Sequence, residues 1–307
     1  MSKSDTFSTY NPVINFMFFI GAVVFGMFFT HPLYLACAVI LSSAYHITLT
    51  GTGGLRFLAG MVPLFIILSA ISPLFNPNGQ TILFTYLGGR AYTLESLYYG
   101  MALAAMFISV IIWFASYNRV MTSDKFIYIF GRGAPSVSLV LSMILRLVPA
   151  FRRKIFQITA ARKCVGKAGD TGTKKERLDN GMTVLSTLTT WALEGGIVTA
   201  DSMRSRGYGT GRRTSFAIYR FDRRDGILMA LMTVLMIVVL FCAFMGGTGY
   251  SAGGNISAGP YTICGAAAYG AFLAVPTVID ITEEIIWRIL RSRIWVFHIL
   301  QPMESLP

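Results

Sequence analysis

The chain has 307 residues, of which 54% are hydrophobic and 13% are charged, and it carries a formal net charge of +12. A soluble globular protein has about a quarter of its residues charged. Half that fraction leaves too little polar surface to solvate a folded chain of this length, so the composition excludes an ordinary soluble protein and indicates one embedded in a membrane.

Six apolar runs along the chain predict membrane-spanning helices, because each approaches the ~20 residues that cross a bilayer. The first two are separated only by Thr30-His31-Pro32, which predicts a tight turn. The predicted spans are Val13–Phe29, Leu33–Ile47, Phe57–Phe75, Leu97–Ser116, Ile227–Phe244 and Tyr261–Ile279.

The basic residues are concentrated between the fourth and fifth runs, where residues 146–224 hold 17 of the 26 lysines and arginines. A basic block flanked by apolar runs is typical of a cytoplasmic segment. Six spans with both termini inside place Thr48–Arg56 and the basic block in the cytoplasm, and Asn76–Ser96 and Gly246–Pro260 outside. A basic region can also indicate nucleic-acid binding, but the sequence contains no signature of a nucleic-acid-binding module.

The sequence therefore predicts an all-α polytopic membrane protein in three parts: a four-span region at 1–135, a cytoplasmic coupling module at 136–226 and a two-span region at 227–307. The C-terminal tail, residues 281–300, mixes apolar residues at helical spacing with charges. It predicts an interfacial helix, with a seventh crossing as the alternative.

Two amphipathic helices are predicted in the basic block. The first starts as a membrane helix, Ser136–Pro149, and continues over Phe151–Val165 with its basic residues on one face. A polar linker, KAGDTGTKKERLDNG, precedes the second helix, which runs from Met182 to about Arg206.

The second helix carries three small residues in its interior, Gly195, Gly196 and Ala200. A glycine inside a helix costs about 1 kcal/mol relative to alanine, so a helix that keeps two of them often lets another backbone approach closely. We expect the two helices to cross near these residues; a kink without a partner is the alternative.

Each of these helices ends in basic residues. In SRGYG, Gly207 suits the left-handed C-cap, and Arg206 would project from the helix end with a planar fork of donors for a partner's carboxylates. Arg162 occupies a comparable place in AARKCVG. A snorkelling arginine that meets phospholipid is the alternative for either residue.

The chain resembles the transmembrane T component of energy-coupling factor (ECF) transporters, most strongly over residues 135–214, where LRLVP at 145–149 and ALEGGIVTADSMRSRGYGTGRRTSF at 192–216 look like the family's coupling helices. The family signature is Ala-Arg-Gly at each helix end. This sequence has Lys163 where the first glycine is expected and Ser205 where the second alanine is usual. The matching ATPase-docking residues are Ala161, Arg162, Lys163, Ser205, Arg206 and Gly207.

The resemblance implies a non-catalytic subunit of the prokaryotic cell membrane, with two cytoplasmic ABC ATPases and a substrate-binding membrane S component as partners. ATP and Mg²⁺ would then be bound by the ATPases, with no cofactor on this chain. The family's usual cargo is a vitamin or a transition-metal ion such as cobalt. The sequence has no phosphate-binding G-x-x-x-x-G-K-[ST] motif of its own.

Rival interpretations are a secondary transporter, a membrane-embedded hydrolase and a scaffold without ATPase partners. The predicted spans have almost no ionisable residues, which disfavours the first, and no nucleophile–base pair is visible for the second. No metal site is expected, since the three histidines are far apart and the four cysteines form no CxxC pair. Asp280, Glu283 and Glu284 are interleaved with arginines, which favours an ion-paired helix face over a cation site.

Overall fold

The structure, a computed structural model, describes residues 6–75, 81–86, 90–166, 173–210, 219, 221–247 and 259–300. Its helices are α1 Pro12–Phe28, α2 Pro32–Thr50, α3 Thr52–Phe75, α4 Leu94–Val120, α5 Ser123–Gly133, α6 Pro135–Cys164, α7 Lys174–Ser205, α8 Arg223–Cys242 and α9 Pro260–Leu300. Two short strands, β1 Ile82–Tyr86 and β2 Arg90–Thr93, pair antiparallel. The contacts divide the chain into two compact units, Met1–Thr122 with Tyr219–Pro307, and Ser123–Ile218.

The predicted spans correspond to α1–α4, α8 and α9. Within the described residues, five of these helices, all but α1, are long and apolar enough to cross a membrane. Helix α1 is apolar but has only 17 residues, which is about 25 Å at 1.5 Å per residue. The chain is thus an all-α polytopic membrane protein, as its composition predicts.

The first three helices are joined by short connections. The tight turn predicted between the first two spans is confirmed, with three residues between α1 and α2, and the connection between α2 and α3 is shorter than predicted. His31 caps α2, its Nδ1 accepting a hydrogen bond from the Leu33 backbone N–H at 3.3 Å. Gly51, at φ +63°, is the only residue between α2 and α3. The predicted span ends on either side of Thr48–Arg56 are therefore too short: both helices extend into this segment, because one left-handed glycine suffices to connect them. Its placement inside stays a prediction.

The predicted outside segment Asn76–Ser96 is also more ordered than expected in its described part. It contains the β1–β2 hairpin and the start of α4, where the Thr93 side chain accepts from the Ser96 N–H at 3.3 Å. This hairpin is a short addition to an otherwise helical fold.

Helix α9 is continuous through Pro276, so the predicted break between a sixth span and a separate tail helix is wrong. A proline removes one backbone hydrogen bond, but a long helix with support from neighbours tolerates the loss. At 41 residues it measures about 60 Å, roughly twice the hydrocarbon thickness. The tail and the last span therefore belong to one helix.

The acidic residues of α9 are held by partners within the first unit. Glu284 pairs with Arg288 at 2.7 Å, which confirms the ion-paired face at that position. Asp280 Oδ1 accepts the Phe7 backbone N–H at 3.0 Å, and Glu283 accepts the Thr6 hydroxyl at 3.3 Å. These bonds fix the N-terminal segment against α9.

Tyr10 lies just before α1, in the same neighbourhood. Burial raises its pKa above the ordinary 10.0, and the nearby carboxylate of Glu283 adds to the shift. Its phenol therefore stays neutral at physiological pH, so it adds no further negative charge to the carboxylates of α9.

The core of the first unit is aromatic. Trp113 is fully buried, with ring centroids 5.3 Å from Phe18, 6.2 Å from Phe19 and 5.9 Å from Tyr45. The pairs with Phe18 and Phe19 are edge-to-face and the pair with Tyr45 is tilted. Such aromatic pairs add dispersion and quadrupole attraction. They matter in a bilayer because lipid tails are as apolar as the side chains, so packing rather than water exclusion holds the helices together.

Candidate functional site

The predicted docking residues all lie in the second unit, on α6 and α7. Helix α6 runs unbroken through Pro149, so the membrane-like start and the basic continuation form a single helix. It ends at Cys164, and Gly166 adopts φ +76° with its N–H bonded to the Lys163 carbonyl at 3.0 Å. The signature has a glycine where this sequence has Lys163. A glycine in the left-handed conformation follows three residues later, at Gly166.

Helix α7 begins at Lys174, eight residues before the predicted start at Met182. The missed signal is Thr173-Lys174-Lys175-Glu176, a capping-box pattern. The Glu176 carboxylate accepts the Thr173 backbone N–H at 2.9 Å. The second half of the predicted linker is therefore the first two turns of a 32-residue helix.

The end of α7 has the geometry of a Schellman motif. The Tyr208 N–H bonds the Met203 carbonyl at 3.1 Å, and the Gly207 N–H bonds the Arg204 carbonyl at 3.0 Å. Gly207 has φ +72°, which confirms the predicted left-handed cap. The Ser205 hydroxyl donates a hydrogen bond to the Asp201 backbone carbonyl at 2.9 Å. The serine, which stands where the signature has alanine, therefore has a hydrogen-bond partner within its own helix.

Arg206 is the C-cap residue of α7 and is exposed. Among the described residues its guanidinium has no hydrogen-bond or ion-pair partner. Helix C-termini carry partial negative charge, which favours a cation there. The five N–H donors of the side chain are thus presented at the end of a fixed helix.

Arg162 is placed differently, although the sequence suggests an equivalent end. Its Nη2 donates a hydrogen bond to Oδ1 of Asn180 on α7 at 2.6 Å, and the residue is half-buried. Ala161 and Lys163 beside it are exposed. Arg206 directly precedes its left-handed glycine, whereas Arg162 lies four residues before Gly166. The two arginines therefore do not project in the same way.

The contact between α6 and α7 lies one turn away from the predicted crossing point. The rings of Phe151 and Trp191 are 5.7 Å apart, and the Lys154 ammonium lies 5.4 Å from the Trp191 centroid. A Cβ on Gly195 or Gly196 would meet nothing within 4 Å. The helices do pack together, but the glycines are not where their backbones approach, and Ala200 is likewise exposed.

A row of large apolar side chains on α7 has no cover within the described part of the chain. No residue of α7 is buried. The row follows helical spacing, so its members share one face, and each is between 56% and 67% exposed: Leu178, Met182, Leu185, Leu193 and Ile197. An apolar face of this kind is stable only against another protein surface or lipid.

Helix α5 was not predicted: the sequence analysis gives no element between the fourth span, which ends at Ser116, and the helix that begins at Ser136. The rings of Phe126 and Phe130, four residues apart, are in tilted contact with centroids 4.4 Å apart. They lie beside Asp124 in the first turn of an 11-residue helix. The i, i+4 aromatic pair next to charged residues is the signal that predicts an amphipathic helix.

The described residues contain no group of three or more histidine, cysteine or acidic side chains that could hold a metal ion. His46 instead hydrogen-bonds Ser116 between α2 and α4 at 3.1 Å. His31 caps a helix, as described above. These two histidines therefore have structural roles in the first unit.

Taken together, the fold and this region define a helical multi-pass membrane protein with two long helices that end in exposed basic residues. No family model matches the chain. It is 23% identical over 199 residues, 61% of this chain and 74% of the other, to the "Energy-coupling factor transporter transmembrane protein EcfT" of Staphylococcus aureus (strain 04-02981).

Proposed function

We propose that the chain is the transmembrane coupling subunit of an ECF-type ABC transporter. It would join two cytoplasmic ATPases to a substrate-binding membrane S component for uptake of a vitamin or a transition-metal ion. The resemblance of the two helix ends to the family signature supports this proposal, and so does the similarity to the staphylococcal protein. In this proposal residues 136–226 form the coupling module between the membrane parts, 1–135 and 227–307.

The observation that carries the proposal is the surface of α7. A helix of 32 residues with no buried side chain gains little from its own fold, because most helical stability in proteins comes from packing an apolar face. Its exposed apolar row and its exposed terminal arginine are features of a helix that is completed by partners. A membrane scaffold without ATPases would leave Arg206 without a role.

The mechanism follows from this arrangement. The ATPases bind ATP and Mg²⁺ and supply the energy, so this chain needs no catalytic residue. Carboxylates in a groove of each ATPase receive Arg206 and the basic end of α6. When nucleotide binding draws the ATPases together, the helix ends move with them. The apolar faces of the helices pass that displacement to the S component, which reorients and releases its substrate inward.

Co-purification tests the proposal. A tagged chain is expressed in its native host, extracted gently, and compared with the Arg162→Ala/Arg206→Ala variant. We expect two ATPases to accompany the wild type and to be lost from the variant. The Arg152→Ala/Arg153→Ala variant is the matched control, since it removes the same charge from exposed positions on α6 and should retain both ATPases.

The opposite outcome also has a clear meaning. A wild-type chain that purifies without any ATPase contradicts the coupling role and favours the secondary transporter or the scaffold. Loss of the ATPases from the control as well as the docking variant would show that general positive charge, rather than the helix ends, holds the partners.

A further inference from the structure

The hydrogen bond between Arg162 and Asn180 is part of the contact that joins α6 to α7. Phe151 and Arg162 lie eleven residues apart on α6, and their partners Trp191 and Asn180 lie eleven apart on α7, in the reverse order. This matched spacing describes two antiparallel helices in register over about three turns. The aromatic contact fixes one end of the paired segment and the polar contact fixes the other.

Asn180 uses one oxygen to hold one of the five N–H groups of Arg162. In the part of the chain that the structure describes, the other N–H groups have no partner, and they include pairs that suit bidentate binding of a carboxylate. A long arginine side chain loses much rotamer freedom when it binds. A side chain that is already held loses less, which is the advantage of preorganisation.

From these contacts we infer that Asn180 is a positioning residue, which orients the Arg162 guanidinium for docking before the ATPase arrives. The inference rests on the proposed function. It makes the two docking arginines different. The Arg162 side chain is already oriented by a residue of the neighbouring helix. The Arg206 side chain is exposed at the end of its own helix and is ordered only on binding. The inference also explains how Arg162 can be oriented although it lies four residues before Gly166, because the contact with Asn180 does not depend on the turn at the glycine.

The inference predicts a specific pattern of affinities. The chain is placed in lipid nanodiscs, and the ATPases recovered from the wild-type complex are titrated onto it. Asn180→Ala should weaken binding by about 2–10-fold, the range expected when one side chain must be ordered afresh. Asn180→Asp keeps an oxygen acceptor opposite Arg162 and should restore wild-type affinity. Thr183→Ala, which removes an exposed hydroxyl one turn further along α7, is the control and should bind as the wild type.

The Arg162→Ala background separates positioning from a general structural role. There, Asn180→Ala should have no further effect, because its target is gone. A further loss in that background would mean that Asn180 acts through the stability of the helix pair, and would overturn the inference. Normal binding by Asn180→Ala, with weak binding by Arg162→Ala, would overturn it too while leaving the docking role intact. If neither Arg162→Ala nor Arg206→Ala weakens binding, the proposed function itself fails.

Discussion

At the scale of single residues, the helix ends depend on glycines in a conformation that other residues avoid. Gly207 at φ +72° lets the last carbonyls of α7 find backbone donors in the turn that follows. A residue with a Cβ in that region costs roughly 1–2 kcal/mol. Because Arg206 directly precedes this glycine, the direction of its side chain depends on the turn.

Replacing Gly207 with alanine should therefore weaken ATPase binding without unfolding the protein. The expected loss is about fivefold, equivalent to roughly 1 kcal/mol of strain in the last turn. The titration in nanodiscs described above measures it. Gly181→Ala is the matched control, since a Cβ at that position in α7 meets nothing within 4 Å. Equal affinities for the two variants would contradict the role of the left-handed turn.

At the scale of elements, close helix contacts help to hold the first unit together, beside polar bonds such as that between His46 and Ser116. Helices α3 and α4 are in close contact at Gly100, where an added Cβ would lie 2.7 Å from the Ser69 carbonyl oxygen and 2.9 Å from the Ser72 Cβ. The nearest atom belongs to the backbone, so it cannot swing aside. Small residues at such points are the usual means of helix association in membranes.

Gly100→Ala should accordingly destabilise the protein in detergent by about 1–3 kcal/mol, the usual cost of overpacking. Thermal unfolding, followed by loss of helical signal or by aggregation, measures the effect. Gly60→Ala, on α3 in a place where a Cβ meets nothing within 4 Å, should be neutral or slightly stabilising. If both variants melt together with the wild type, the close approach of α3 and α4 is not as described.

At the scale of the whole molecule, the proposed function requires an orientation in the membrane that places the ends of α6 and α7 in the cytoplasm. The chain has four cysteines, and Cys164, the last residue of α6, is exposed. Positive-inside placement of the basic block puts this residue in the cytoplasm. A thiol beside the proposed docking site is therefore a direct probe of topology.

Labelling with a membrane-impermeant maleimide tests the orientation. In a variant with Cys37, Cys242 and Cys264 replaced by serine, Cys164 should react in inverted vesicles and stay unmodified in intact cells. A second variant also has Cys164 replaced by serine and has a cysteine in place of Ser257, which the sequence predicts to be outside. This cysteine should react in intact cells and stay unmodified in inverted vesicles. Labelling of Cys164 from outside the cell would reverse the topology and remove the proposed docking.

The features that were not predicted from the sequence fall into two groups, those with a short local signal and those with none. The start of α7 and helix α5 had local signals, a capping box and an i, i+4 aromatic pair, which are short and lie outside the long apolar runs. The continuation of α9 through Pro276 had none, because the sequence shows the lost hydrogen bond but not the neighbours that support the helix. The same holds for the point of contact between α6 and α7. Glycines mark where a backbone can approach, but the helices are in contact at Trp191 and at Asn180 instead.

What the sequence by itself determined is the class of the protein and the composition of its helix ends. Apolar length fixes the spans because every backbone polar group in a bilayer must bond within its own helix, and Gly207 fixes a C-cap through local sterics alone. Only the tertiary structure decided that Arg162 is held by Asn180 while Arg206 is exposed. That difference arises between residues on separate helices, so it depends on the register of two packed surfaces, which no local pattern in the sequence encodes.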